Sequence, residues 1–264
     1  RLLGVLAGVI AKAVDVRMPA DQETIRYTGF YGTGLDGNPY LMREVLGGGS
    51  GGRYYADGED TIHVVPDSQN LPTEVTESRF PFIVERLGLA VDSGGPGEYR
   101  GGLGYEKHIR MLRDASFMSI ADRSILSCWG VRGGRAGRSF QVTIDPGGPD
   151  EREMEGLVDG APVRAGEVIR IRTTGGGGWG DPLDRKPDAV LRDVLWGKVS
   201  VTGARDDYGV VVTGPADGPL PEHVGTEELR ARLRAERAEQ PFFDRGPGYA
   251  RLSGGLAAAR VDWL

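Results

Sequence analysis

The sequence predicts an α+β fold: a strand-rich core, arranged as an irregular sandwich or barrel, with an N-terminal helix and C-terminal helices. Three observations predict it. Short segments rich in β-branched and aromatic residues recur between Thr24 and Arg172, punctuated by Gly and Pro. An apolar stretch with helical spacing precedes them. Stretches with helix start and stop signals follow them. With 264 residues, 39% hydrophobic and 27% charged, the chain can build a sizeable core.

Each element has a local reason. Leu3, Leu6, Ile10 and Val14 keep a 3–4 spacing, which predicts a buried helix over residues 2–14, closed by Pro19. A secretory leader also opens on a basic residue and an apolar run, but Lys12 interrupts the small-residue site, and the run is too short to cross a membrane. A chain opening on Arg1 in mid-helix is expected to be a piece of a longer protein. Strands are expected at 24–31, 40–46, 61–66, 80–91, 106–112, 116–121, 139–144 and 167–174. Asp36-Gly37-Asn38-Pro39, Asp57-Gly58 and Asp159-Gly160 supply turns. Residues 187–198 predict a short helix, with Pro187 in its first turn and Gly197 behind it. Residues 226–240 predict a longer, arginine-rich helix starting at Thr226. The tail from Pro241 keeps large apolar residues and is expected to dock. The chain thus divides into a strand-rich region with its helix, 1–182, and a C-terminal part, 183–264, docked on the core or on a partner.

Composition excludes several classes. A net charge of −6 without clustered basic residues gives no nucleic-acid footprint. Cys128 stands alone, so no internal disulfide forms and a reducing cytoplasm is expected. Within "SILSCWG" it reads as a buried, inert thiol. Gly-x-Gly-x-x-Gly occurs at Gly32/Gly34/Gly37, Gly47/Gly49/Gly52 and Gly175/Gly177/Gly180, but none opens directly on a helix within a βαβ repeat. There is no P-loop, so the chain alone should not bind ATP.

Some residues carry candidate chemistry. His63, His108 and His223 are scattered and lack ligand-spaced companions, so no metal ligand is named. His63 is followed by a polar loop with Asp67, Gln69 and Asn70; it is either a sheet histidine or a catalytic group. Arg123 ends a strand, and Arg132, Arg135 and Arg138 sit among glycines. Such arginines either grip planar anions or form an exposed basic turn. "TTGGGGWGDP" places Gly175, Gly176, Gly177 and Gly178 before Trp179 and Asp181. Each glycine costs the fold about 0.5–1 kcal/mol relative to alanine. Lying between a strand and a helix, the run is expected to mark close backbone approach against another chain or a missing half. Trp179 would anchor it and Asp181 would bond to backbone amides. In the sharper version these residues line a reaction chamber.

"DSGGPGEYRGGLG", "ADRSILSCWGVRGGRAG" and "GGGGWGDPLDRKPDAVLRDVLWGKVSVTGARDDYGVVV" occur in order within Ile62–Val212 and resemble the hydantoinase B/oxoprolinase family. That family includes ATP-dependent hydantoinases, 5-oxoprolinase, related lactamases and subunits of acetone and acetophenone carboxylases. The resemblance implies a B-type subunit that works with an A-type partner, which carries ATP and magnesium and phosphorylates a carbonyl or enol oxygen. The B-type chain then hydrolyses or carboxylates the activated intermediate. A cyclic-amide hydrolase acting on a small molecule is the first expectation. A carboxylase subunit or a non-catalytic assembly subunit is the alternative. Family chains are longer, and their metal-binding His and Asp residues lie in an N-terminal half that this sequence does not match. A zinc or manganese site would belong there, and no cofactor is expected in this chain. The expected partners are the A-type subunit and that N-terminal half, in a cytoplasmic hetero-oligomer away from membranes and nucleic acid. His63, Asp67, Asn70 and Arg123 are the expected contributions to a shared active site.

Overall fold

A computed structural model describes residues 2–14, 17–23, 26–63, 69–214, 220–237 and 240–253. Helix α1 (Leu2–Ala13) leads to β1 (Arg26–Thr33), β2 (Pro39–Val45), α2 (Thr73–Arg79), β3 (Phe82–Leu89), β4 (Tyr105–Met111) and β5 (Ala115–Ala121). Then come β6 (Gly130–Val131), β7 (Gln141–Ile144), β8 (Arg152–Met154), β9 (Leu157–Val163) and β10 (Val168–Arg172). The C-terminal part holds α3 (Pro187–Leu195), α4 (Val201–Tyr208), β11 (Val211–Thr213), β12 (Leu220–Glu222), α5 (His223–Glu236), β13 (Phe243–Asp244) and α6 (Gly248–Ser253).

Two antiparallel sheets carry the core, in the orders β2-β1-β5-β9 and β3-β4-β10-β7-β8. Strand β10 shows why: Ile169 and Ile171 point inward, while Arg170 and Arg172 alternate to the partly exposed face. Phe30, Met42 and Phe117 of the first sheet share one core with Phe82, Ile109, Val142 and Ile169 of the second. The ring of Phe30 lies 5.2 Å from Phe82 and 5.4 Å from Phe117. This is the irregular sandwich the sequence predicts, with helices at both ends.

Local differences have physical causes. Residues 61–63 are not a strand: Ile62 makes only an isolated bridge to Gly48, and residues 64–66 lie outside the described set. Helix α4 is real although its sequence is poor in helix formers, because Ser200 caps Gly203 N–H and Gly209 ends it in a left-handed turn. Helix α5 starts at His223, ahead of Thr226, and ends at Glu236. Helix α1 forms as expected but is not buried. It sits on the body through its small residues: a Cβ on Gly4 would lie 3.2 Å from Asp21 Oδ1, and one on Gly8 3.6 Å from the Trp129 ring. Leu2, Val5, Leu6, Val9 and Ile10 face outward, Val5 being 63% exposed.

A third structural layer is built from glycine. The N–H groups of Gly175 and Gly178 donate to Arg138 and Arg135; those of Gly176 and Trp179 donate to Gly102 and Tyr99. Gly177 N–H donates to Asp21, while the carbonyls of Thr174 and Gly177 accept from Gly49 and Gly52. Each neighbouring stretch is revisited every third residue. Three residues per turn is the repeat of polyproline II, whereas a strand repeats every two. Segments 20–23, 47–52, 93–104 and 128–138 thus surround 173–180. Side chains are excluded there: a Cβ on Gly175, Gly176, Gly177 or Gly178 would collide with the carbonyl oxygen of Ser93, Ser50, Trp129 or Pro96 respectively. The expectation that the run packs on another chain is therefore corrected. Its partners are other glycine-rich stretches of the same chain.

The C-terminal part has a small core of Val190, Val199, Ala204, Tyr208 and Val210. Charge joins it to the glycine layer. Arg185 grips both Asp57 oxygens at 2.6 and 2.8 Å and Asp193 at 2.7 Å. Arg100 faces Asp60 at 3.2 Å and Asp193 at 3.5 Å. The tail docks as expected over its described part: β13 pairs with β6, and the Phe243 ring lies 4.5 Å from Trp129.

Candidate functional site

One end of the four-stranded sheet collects buried charge. Arg26 is in register with Ala121, and Tyr27 with Val45, so the chain enters β1 and leaves β2 and β5 at the same end. The three connections bring Asp21 and Glu23, the glycines 47–49, and Asp122–Arg123 together.

Arg26 is fully buried. Its guanidinium donates to Thr174 Oγ1 at 2.5 Å and faces Glu23 at 3.1 Å. Burial pulls its pKa below the usual guanidinium value, with Glu23 acting against that pull. Asp21 is 2% exposed. Its Oδ2 meets Arg123 Nη2 at 2.5 Å and accepts from Trp129 N–H at 3.3 Å; its Oδ1 has no partner among the described residues. Burial pushes the Asp21 carboxyl pKa up, and Arg123 opposes the shift. Paired opposite charges make this burial tolerable, since lone ions in a low dielectric are prohibitive. The glycine layer supports the cluster from below through Thr174 and the Gly177–Asp21 bond. Beside it, Cys128 is buried as expected, and burial pushes its thiol up to about 12.

Arg123 stands where this cluster meets a cavity. Its backbone has φ +62° and it donates through Nη1 to Ser127 O at 3.3 Å. The cavity, about 420 Å³, is lined by Arg123, Asp122 and Ser124 and by apolar Val5, Ala121, Ile125, Leu126 and Leu252. An apolar wall with a few convergent polar groups suits a small molecule. Non-glycine residues held at positive φ store about 1–3 kcal/mol and concentrate where geometry is functional.

His63 follows the Ile62–Gly48 bridge and does not line this cavity. Its Nε2 is 3.0 Å from Asn70 Oδ1, and its Nδ1 is buried without a partner among the described residues. Ile62, just before it, bridges Gly48, and a Cβ on Gly48 would lie 2.7 Å from both Arg26 and Glu23. Thr61 is held at φ +50°. Asn70 is steadied by its neighbour: Leu71 N–H donates to Glu44, which is paired at 2.7 Å with the buried Lys107. Asp67 lies outside the described residues. Gly175–Gly178 are buried beneath the cluster, and none lines this cavity. Trp179 is half-buried against Tyr99 at 6.0 Å. Asp181 accepts from Leu183 N–H at 2.9 Å and pairs with Arg237 at 2.6 Å.

The remaining candidates are placed elsewhere. His108 pairs with Glu106 on β4 at 2.9 Å. Arg135 and Arg138 share a second cavity with Asp92, Asp207 and Asp244, and Arg135 is already bound to Asp207 at 2.7 Å. Asp21, Glu23, Arg26 and Trp129 were not singled out by sequence. Among the described residues no three His, Cys, Asp or Glu groups could hold a metal ion, and Asp21 and Glu23 face guanidiniums instead. These residues do not fit a metal. No described helix is long and apolar enough to cross a membrane.

Known proteins share this architecture. The profile of the family described as hydantoinase B/oxoprolinase matches residues 1–182. A protein assigned the name of a D-/L-hydantoinase B-type subunit, from Pseudomonas sp. (strain NS671), is 30% identical over 227 residues, covering 85% of this chain and 38% of its own length. The beta subunit of caprolactamase from Pseudomonas jessenii is 36% identical over 157 residues, covering 56% of this chain and 26% of its own. Among solved structures, ATP-dependent caprolactamase from Pseudomonas jessenii superposes with a TM-score of 0.72 at 25% identity, covering 84% of this chain and 40% of that one. Nucleotide-free acetone carboxylase gives the same TM-score, 0.72, at 23% identity, covering 84% and 35%, and shows likeness of fold alone. The chain spans less than two fifths of the length of these curated relatives.

Proposed function

This chain belongs to the hydantoinase B/oxoprolinase family, and from that premise we propose that it forms part of the B-type subunit of an ATP-dependent cyclic-amide hydrolase. An A-type partner, carrying ATP and magnesium, phosphorylates the amide oxygen of a small cyclic substrate. The B-type site then adds water to the activated carbon; the adduct expels the ring nitrogen, which takes up a proton, and a second water converts the resulting acyl phosphate to carboxylate and inorganic phosphate. The observation that carries this reading is Arg123, held at positive φ on the wall of a small-molecule-sized cavity. Its guanidinium suits the phosphoryl group or a substrate carboxylate, both planar or forked anion targets. His63 is the proton acceptor for water. With Asn70 Oδ1 accepting from Nε2–H, the unpartnered Nδ1 is the basic nitrogen. Asn70 fixes the ring, and Asp67, four residues after His63 in the sequence, is the proposed further carboxylate.

The relatives named as hydantoinase and caprolactamase subunits favour ring hydrolysis; the acetone carboxylase relative keeps carboxylation as the second reading. Bicarbonate decides between them, because only a carboxylase needs it for product. The outward face of α1, with Val5, Leu6, Val9 and Ile10, is the proposed seat of a further chain, either the A-type partner or an N-terminal B-type half. That half is also where the proposed zinc or manganese site belongs. The proposed location of the assembly is the cytoplasm.

The test uses the assembled enzyme. His63→Ala should lower turnover by about 10²–10⁴-fold, the usual contribution of a positioned proton-transfer group, and Arg123→Ala by about 10²–10³-fold, as for a lost charge-stabilising donor. Parent-like turnover in both variants refutes the assignment.

A further inference from the structure

We propose that Asp21 is a positioning residue: it holds the Arg123 guanidinium at the cavity wall, so that substrate binding depends on Asp21 through Arg123. The inference rests on the role proposed above for Arg123.

Asp21 is fixed on both sides by backbone. Its N–H donates to Trp129 O at 3.0 Å, and its carbonyl accepts from Gly177 at 2.8 Å. Its carboxylate is fixed as well. Trp129 N–H holds Oδ2, and Gly4 of α1 roofs Oδ1 closely enough that a Cβ there would lie 3.2 Å away. The carboxylate therefore cannot swing out to water without lifting α1. Arg123 is longer, has more rotamers and is 19% exposed where it lines the cavity. Its backbone is anchored where Phe140 N–H donates to Arg123 O at 2.9 Å. Its head is held by one carboxylate oxygen of Asp21 and, more weakly, by Ser127 O. Removing Asp21 frees the guanidinium while leaving it present. A guanidinium already placed binds an anion better than one that must first be ordered. Buried carboxylates of this kind are also expected to hold a free guanidinium ion of the same shape.

The experiment exploits that last point. The assembled enzyme is assayed with hydantoin, 5-oxoproline and caprolactam, using whichever the parent opens. Asp21→Asn, nearly isosteric, should raise KM about tenfold with kcat changed less than about twofold, the pattern of lost binding rather than lost chemistry. Arg123→Ala should lose most activity, and guanidinium chloride at about 50 mM should restore about tenfold of it when Asp21 is present. In Arg123→Ala/Asp21→Asn the same salt should restore nothing. Equal rescue with and without Asp21, or an unchanged KM in Asp21→Asn, overturns the positioning role while Arg123 keeps its own. Parent-like activity in Arg123→Ala removes the role of Arg123 and this inference together. Should the double variant not assemble, the KM of Asp21→Asn alone decides.

Discussion

Gly177→Ala adds one methyl group and should behave like a core defect. The new Cβ would overlap the Trp129 carbonyl and lie 3.0 Å from Gly130 N. That carbonyl cannot retreat freely, because it accepts from Asp21 N–H at 3.0 Å. Nor can Gly177 move, since its N–H is bound to Asp21 O and its carbonyl to Gly52 N–H, both at 2.8 Å. Relief must break some of these buried hydrogen bonds, at about 1–3 kcal/mol for each group left unsatisfied. Overpacking itself costs about 1–3 kcal/mol. With one group left unsatisfied the sum, about 2–6 kcal/mol, is a large share of the roughly 5–15 kcal/mol that holds a domain folded. Gly88→Ala is the control: nothing lies within 4 Å of its Cβ position. That change should be neutral or stabilise by about 0.4–1 kcal/mol through the unfolded chain. Thermal melting of the assembled enzyme reads both, and Gly177→Ala should fall by at least about 4 °C at the usual 2–4 °C per kcal/mol. Two variants melting together would refute the account of the glycine layer.

Other predictions follow from the same contacts. Arg185→Ala removes the shared partner of Asp57 and Asp193 and should cost about 3–5 kcal/mol, as for a broken buried pair; limited proteolysis should then cut within 183–214 before the sandwich is touched. In Asp57 and Asp60, burial raises the carboxyl pKa but the cationic partners, Arg185 and Arg100 foremost, outweigh it and hold both below 3.8. Their stabilisation is therefore full above the unfolded value and is lost as pH falls through the lower folded values, so near-ultraviolet circular dichroism should show an acid transition below about pH 4. Asp57→Asn should weaken that transition, and an unchanged one would contradict the assignment. Val5→Lys/Val9→Glu on the outer face of α1 should keep the isolated chain monodisperse in light scattering while abolishing co-purification of partner chains; retained co-purification would place the interface elsewhere.

The sandwich was legible because its strands obey a simple rule. Ile169 and Ile171 alternate with arginines, and Phe30 and Phe117 sit in segments bounded by turn residues. Residues 61–66 mislead because apolar residues cluster there; among the described ones, 61–63, only Ile62 finds a bridge, to Gly48. The glycine run was legible as close approach but not as self-packing. Its partners are other glycine stretches far along the same chain, and nothing local in "GGGG" names them. The same holds for the charge cluster. Arg26 reaches Thr174 across 148 residues, and Asp21 meets Trp129 across 108. Read locally, "ADQETIR" is a polar connection; only the fold makes its carboxylates and guanidinium buried partners. Arg123 was visible as an arginine after a strand, whereas its positive φ and its cavity belong to three dimensions.

The most direct test of the functional account is omission and add-back. The A-type partner and all other B-type polypeptide are purified with and without this chain, and ADP release and ring opening of hydantoin, 5-oxoproline and caprolactam are followed together. The account predicts ring opening coupled to ADP release only when the chain is present, without any need for bicarbonate. Equal ring opening without the chain, or product that forms only with bicarbonate, would contradict it.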